Sequence, residues 1–554
     1  MPRILPNLLL VIAAHLQLSQ ALPAGTPPAA ASSTVDLPTV RLDNATVYGW
    51  NAVTVNEFLG IPYALPPSGD RRLRLPQPND PYTTDFAAWY FGASCPQQDS
   101  TAPSAPAAAV PGLPSSNATG QAAADDEDCL NLNIVVPADA KPGSNLPVVI
   151  WIYGGSFQSG SASFYDGKLI VDRSIQMGEP VIYVGINYRL SALGFLASKE
   201  VKAAGVGNLG LQDQRQAFRW VQKYIGAFGG DPKKVTIWGE SAGAVSVGFH
   251  LVANNGNNEG LFRAGFMQSG SPVPVGDITN GQQYYDFMVA QTGCSSASDT
   301  LECLRGVPYA AFKAALDQSP GIYAYQSLSL AWRPRVDGIF ITDVPQKLVQ
   351  AGKVANVPII TGDCDDEGTV FALSTFNITT DAQFKAYVKQ YFFPTASSSD
   401  LDRLLWYYPN DLRAGSPYDT GFLGGLTQQY KRIASFMGDV AFQAPRRFLL
   451  QQRSQKQNSW SYLSKRFKST PAYGSWHGSD LVNSWAGELL DYLVNFANNL
   501  DPNGKTQVPW PKYNNWSPLL LTFLDGPLPV TVTRDDYRDD AMDYLTDVSL
   551  RNPW

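Results

Sequence analysis

Histidine is almost absent from this chain: three stand in 554 residues, at positions 15, 250 and 477. Chemistry that needs an imidazole base therefore has very few candidates. Charged residues are sparse as well, at 16%, and the formal net charge is −7. No cluster of lysine and arginine occurs that would track a phosphate backbone, which argues against nucleic-acid binding. Beyond the first residues, no stretch approaches the ~20 apolar residues that a bilayer-spanning helix requires. No transmembrane anchor is expected. What the chain does have is apolar content of 44%, in the range of a well-cored globular protein.

Residues 1–21 have the layout of a secretory signal. Arg3 supplies a minimal basic region, Leu8 to Ala14 an apolar core, and Ser19-Gln-Ala21 a small-residue cleavage site. Residues 22–38, rich in Ala, Pro, Ser and Thr, read as a flexible leader. Secretion fits three N-glycosylation sequons, at Asn44, Asn117 and Asn377; a fourth, at Asn515, is weakened by Pro518. The five cysteines, Cys95, Cys129, Cys294, Cys303 and Cys364, then suggest two disulfides and one remaining thiol. Nearness in sequence favours Cys294–Cys303. Between Cys95 and Cys129, residues 96–128 contain no aromatic side chain and are made largely of Ala, Pro, Ser and Gly. Loops of this length are usually functional lids or disordered.

The rest alternates strands and helices. Pro147 to Tyr153 and Pro180 to Asn187 are near-continuous apolar runs, the pattern of strands covered on both faces. Leu211 to Phe228 carries apolar residues at helical spacing. Further strands are expected over Val235–Trp238, Ala264–Ser269, Val357–Thr361 and Ser459–Leu463. This alternation implies a large α/β sheet. Residues 39–554 read as one catalytic domain, with 280–350 and 370–440 as insertions.

The chemistry centres on Gly239-Glu-Ser-Ala-Gly243, a G-x-S-x-G pentapeptide between the strand Val235–Trp238 and a helix-compatible run. In that setting the glycines let strand and helix approach while the hydroxyl of Ser241 projects from a sharp turn. A serine nucleophile needs a base, and the base an orienting carboxylate. His15 lies in the signal. His250 falls nine residues after Ser241, about 900° round a helix, and so on its opposite face. It reads as a structural residue. His477 remains, on a Gly-flanked loop after a strand. The acid is expected between Ser241 and His477, in Gly362 to Thr369, where Asp363, Asp365, Asp366 and Glu367 compete. Spacing does not choose among them, and three of the four are expected to be solvated loop charges. Oxyanion donors are expected from the N–H of Ala242 and from the turn Tyr153-Gly-Gly-Ser-Phe157.

These residues resemble the type-B carboxylesterase/lipase family, the cholinesterase-like branch of the α/β-hydrolase fold, and within it secreted fungal lipases and sterol esterases. The resemblance is carried by Glu127-Asp-Cys-Leu-Asn-Leu-Asn133, Gly239–Gly243, Phe58 to Ala64, Asn187-Tyr-Arg189, Asn208 to Gln214 and Trp510-Pro-Lys-Tyr513. It implies a mostly parallel central sheet with helices on both faces and a lid loop closed by a disulfide. It implies Glu367 as the acid, through Asp366-Glu-Gly-Thr369, and His477 as the base. It also implies the oxyanion donors Gly155, Ser156 and Ala242, the disulfides Cys95–Cys129 and Cys294–Cys303, and structural ion pairs Arg72–Glu127 and Arg189–Asp213. Two positions depart from the family pattern. Ser156 replaces the third glycine of the oxyanion turn, and the 95–129 loop lacks the aromatic residue that cholinesterases use to hold a quaternary ammonium.

The function expected is secreted hydrolysis of carboxylic esters through an acyl-enzyme, on long-chain acyl or steryl esters, with transient contact at a lipid–water interface. Short-chain or hydroxycinnamate esters are the alternative within the enzymes, and a silent cholinesterase-like binding protein the alternative outside them. No cofactor or metal is implied.

Overall fold

The computed structural model describes residues 37–99, 124–505 and 507–554. The signal segment 1–21, nearly all of the leader 22–38, and the middle of the 96–128 loop with Asn117 lie outside the described residues. Apolar β-branched runs become eleven strands of one sheet. In chain order they are β1 (Trp50–Asn51), β2 (Val55–Pro62), β3 (Asn131–Pro137), β4 (Leu146–Ile152), β5 (Ile182–Ile186) and β6 (Gly230–Glu240). There follow β7 (Ala264–Gln268), β8 (Ile359–Cys364), β9 (Ser459–Lys465), β10 (Leu519–Leu524) and β11 (Val530–Arg534). Across the sheet the order is β11-β10-β9-β8-β7-β6-β4-β5-β3-β2-β1. The run from β10 through β5 is parallel, and antiparallel pairs stand at both ends.

Every residue of β5, β7 and β8 is buried. Side chains alternate between the two faces of a strand, so such a strand must be covered on both. The cover includes α1 (Leu209–Tyr224) and α2 (Ala242–Gly256), which leaves the strand–turn directly. The helix expected over 211–228 thus begins earlier and tightens to a 3₁₀ turn at Ile225–Phe228.

The 370–440 segment supplies a second apolar cluster. Phe384, Phe392, Leu404 and Phe436 pack there with Met542, Leu545 and Val548 of the C-terminal helix α5 (Asp539–Arg551). Ahead of it, α3 (Tyr430–Gly438) and α4 (Ala444–Arg453) run on through a π turn at Asp439–Gln443. Pro445 has no N–H to give the preceding turn, and a one-residue slip of the helical register accommodates it. That slip presents Ala441 and Phe442 to the site described below.

Cys95–Cys129 and Cys294–Cys303 are bonded, and Cys364 is free and buried. By chain entropy the two bridges stabilise the fold by about 4 and about 3 kcal/mol. Arg72 grips Glu127 through two bonds of 2.6 Å. Arg189 grips Asp213 at 2.8 and 2.7 Å. Both pairs are buried; the second ties the turn after β5 to α1. Asn44, Asn377 and Asn515 are exposed, and the amide of Asn515 donates to the carbonyl of Gln451. No helix among the described residues is long and apolar enough to cross a membrane.

Candidate active site

Parallel strands deliver their following loops to one edge of a sheet, where ligands collect in open α/β folds. Here β4 leads into Gly154–Phe157, β6 into Ser241, β8 into Asp365–Glu367, and β9 into the loop that holds His477. The turn after β6 is tight. Ser241 has φ 55° and ψ −124°, a strained conformation costing about 1–3 kcal/mol. It is held by the bond from its N–H to the carbonyl of Gln268 at 2.9 Å. Gly243 is required here. A Cβ on it would stand 1.9 Å from the carbonyl oxygen of Ile152, at the end of the neighbouring strand.

The side chains brought together form a relay. Ser241 Oγ lies 2.7 Å from Nε2 of His477, and Nδ1 of the same ring lies 2.6 Å from Oε2 of Glu367. The other oxygen of Glu367 accepts the N–H of Cys364 at 2.6 Å, so the carboxylate is fixed at both ends. His477 packs against Phe442 and Phe371, with ring centroids 4.6 and 5.0 Å away. The bridge pairing Asp366 with Trp476 positions the histidine loop beside the acid.

The other three carboxylates of the acid loop differ from expectation. Asp363, Asp365 and Asp366 are not solvated but buried and paired. Asp363 meets Arg446 at 2.9 Å. Asp365 and Asp366 share Lys468 at 2.5 and 2.6 Å, and Asp366 also accepts from Ser416, the N–H of Tyr418 and the N–H of Ser475. The reason is topological. A loop between two buried parallel strands is covered by insertions, and each carboxylate retained there needs a cation or donors. Spacing could not separate four adjacent acids, because only the fold shows which one faces an imidazole.

Among the described residues, no acceptor pairs with the N–H of Gly155, Ser156 or Ala242. Gly155 adopts φ 108°, which a side chain would clash with at the carbonyl of Ser159. Ser156 and Ala242 line the same pocket as Ser241, and Ser156 stands at φ 58°. The serine side chain therefore does not close the turn. His250 is remote from this edge. It is fully buried, bonds Gln214 at 2.9 Å, and packs against Phe218. Burial, then Arg215, holds its pKa well below the ordinary imidazole value.

Reading the motif residue by residue assigns Glu240 no proton-transfer role, yet the structure brings it to the site. Its Oε1 lies 3.5 Å from Nε2 of His477. Burial raises its carboxyl above the usual range. For His477, burial alone would lower the pKa, but Glu367 and then Glu240 outweigh it and raise it. Replacing Glu240 by Gln removes one of the three carboxylates, Glu367, Glu240 and Asp480, that favour imidazolium. The base acts when neutral, so the acidic limb of the kcat/KM profile should move to lower pH by about one unit. An unchanged limb would show that Glu240 carries no charge when His477 titrates.

An apolar pocket opens from Ser241. Its walls include Val245, Val273, Leu328, Leu330, Phe371 and Phe442. A serine–histidine–glutamate relay beside backbone donors without acceptors and an apolar pocket is an arrangement that suits acyl transfer. The sequence profile of the carboxylesterase family matches residues 36–486. The chain belongs to the carboxylesterase family.

This carboxylesterase is 43% identical over 528 residues to lipase 4 of Diutina rugosa, covering 92% of this chain and 95% of that one. It is 41% identical to secreted lipase 1 of Botryotinia fuckeliana, covering 92% of each chain. It is 39% identical to a secreted triacylglycerol lipase of Gibberella zeae, covering 92% and 90%. Among solved structures it is similar to EstA of Aspergillus niger, with TM-score 0.79, 28% identity, and coverage of 94% of this chain and 99% of that one. The protein is accordingly a carboxylic ester hydrolase of the α/β-hydrolase fold.

Proposed function

We propose that this carboxylesterase is a secreted lipase or sterol esterase that works through Ser241, His477 and Glu367. The observation that carries the reading is the pair of short contacts through His477, 2.7 Å to Ser241 and 2.6 Å to Glu367, at the mouth of an apolar pocket. His477 takes the proton of Ser241 as its Oγ attacks the ester carbonyl. The oxyanion that forms is held by the N–H groups of Gly155, Ser156 and Ala242, and loss of one such donor typically costs about 3 kcal/mol at the transition state. His477 returns the proton to the departing alcohol. Water then attacks the acyl-enzyme by the same route, releasing the acid and restoring Ser241. Residues 39–554 act as one catalytic domain.

The long-chain reading is supported by the apolar walls of the pocket and by relatives named as lipases. Secretion is supported by the segment 1–21, the two disulfides, the exposed sequons at Asn44 and Asn377, and relatives named as secreted. The test is hydrolysis across acyl chain length, with triolein, a cholesteryl ester and a methyl hydroxycinnamate in the series. Long-chain glycerides or steryl esters should give the highest kcat/KM. Preference for acetate, butyrate or the hydroxycinnamate would overturn this reading.

A further inference from the structure

The pocket that starts at Ser241 is not apolar throughout. Arg333 lines it, together with Pro334 and Trp554. Arg333 is 9% exposed, and its Nε and Nη1 are buried with no hydrogen-bond partner among the described residues. The groups that act on its charge are Arg335 and Tyr284, and neither carries a carboxylate side chain. The contrast with Arg335 is instructive. That guanidinium is also buried, but it spends Nη1 and Nη2 on the carbonyls of Ala331 and Arg333. Among the described residues, Arg333 spends none of its donors.

Its position is nonetheless held. The guanidinium carbon stands 4.5 Å over the ring of Trp554, and Trp554 is pinned by its own backbone, donating to Pro274 and accepting from Gly276. A cation stacked on an indole keeps its plane while all of its in-plane donors stay free. Buried charges are otherwise paired, because an isolated one is costly. Burial and Arg335 lower the pKa of this guanidinium well below its ordinary value, the direction expected for a cation without a counter-ion. Val273, Val275, Leu328 and Leu330 in the same wall offer no acceptor side chain, and the pocket's hydroxyls are those of Ser156 and Ser241, neither of which is hydrogen-bonded to Arg333.

We propose that Arg333 is a specificity-determining residue that receives a carboxylate carried by the ester substrate, so that the pocket takes acyl or alcohol groups ending in an anion. This rests on the reading of Ser241 as nucleophile given above. The planar fork of a guanidinium matches a carboxylate geometrically. The reaction is unchanged: water adds across the acyl–oxygen bond, and the products are an acid and an alcohol, one of which carries the second carboxylate. Arg333 neutralises that carboxylate in the bound state and moves no proton.

The test compares charged and neutral esters of matched length. One arm uses 4-nitrophenyl hemiesters of C4 to C10 dicarboxylic acids against 4-nitrophenyl esters of the monocarboxylic acids. The other uses butyrate esters of ω-hydroxy acids against butyrate esters of simple alcohols. In at least one arm, at one or more lengths, the full-length enzyme should favour the charged ester in kcat/KM. In Arg333→Met and in Arg333→Gln, the charged-to-neutral ratio should fall about 10- to 100-fold, the range of a charge-assisted hydrogen bond. Neutral esters should gain, because an unpaired charge has left the pocket. Wild-type preference for the neutral ester at every length in both arms would overturn the proposal, whether or not the variants fold. A ratio unchanged by both substitutions would overturn it as well. Either result, with neutral esters still cleaved, leaves the role of Ser241 standing. Failure of the wild type on every ester of both arms would instead remove the reading of Ser241, and this inference with it.

Discussion

Replacing Ser241 by Ala should lower kcat on any ester substrate by about a millionfold, with the protein still folded. The size follows from how the site acts. Ser241, His477 and Glu367 form one chain of contacts at 2.7 and 2.6 Å, and removing the nucleophile of such a unit costs about as much as removing all of it. What remains is the ~10³- to 10⁴-fold advantage that backbone donors and substrate binding retain over water. The fold should tolerate the change. Among the described residues the Oγ of Ser241 bonds His477 alone, and alanine meets the same backbone strain at φ 55°. The measurements are kcat on a 4-nitrophenyl ester, thermal denaturation, and labelling by a fluorophosphonate, which should react with the wild type alone. Activity of the folded variant near the wild-type level would remove Ser241 from the mechanism.

Arg446→Met should destabilise the fold by about 3–5 kcal/mol at pH 7. The Arg446 side chain is fully buried. It bonds Asp363 at 2.9 Å and both oxygens of Asp535 at 2.8 and 2.9 Å. Removing one partner of a buried ion pair leaves its counter-charges uncompensated, and such losses fall in this range. Arg447 still pairs with Asp535, but no other cation is bonded to Asp363 among the described residues. Asp363 is on β8, four residues before Glu367, so loss of activity should accompany the loss of stability.

The effect depends on pH with a definite sign. Burial pushes the Asp535 carboxyl up, but Arg446 and Arg447 outweigh it and hold the group below the usual carboxylate range. A depressed carboxylate stabilises the fold above its unfolded value near 4, and that contribution is lost as pH falls below it. In the variant the two carboxylates are relieved by protonation. The difference between wild type and variant should therefore be full at pH 7 and narrow below about pH 4. Urea denaturation of both proteins at pH 7 and pH 3 would measure it. A gap that did not narrow at pH 3 would show that Asp535 does not owe its charge to Arg446.

The strand–turn–helix around Ser241 was legible because a buried strand, a serine flanked by small residues and a helix are local features. His477 was legible because only three histidines exist and helical geometry turns His250 away. The acid was not legible by spacing. Four carboxylates stand within five residues, and an ordinary reading of an acidic loop makes three of them solvent-facing. The structure buries all four, since neighbouring insertions cover that edge of the sheet. Each then takes the partner that the fold brings: Arg446, Lys468 or His477. Glu240 was visible inside the motif without a use, because its distance to His477 depends on a loop more than two hundred residues away.

Alone, the sequence pointed to Ser241, His477, the Gly154–Ser156 turn and the parallel α/β class, all set by short-range patterning. The family resemblance implied Glu367 where spacing could not choose; only the tertiary structure shows it against His477, the remaining carboxylates paired, and an unneutralised guanidinium bordering the pocket. Those facts depend on which distant segments meet. Burial turns each meeting into an energetic requirement, because a charge removed from water must find a partner in the fold or in the ligand.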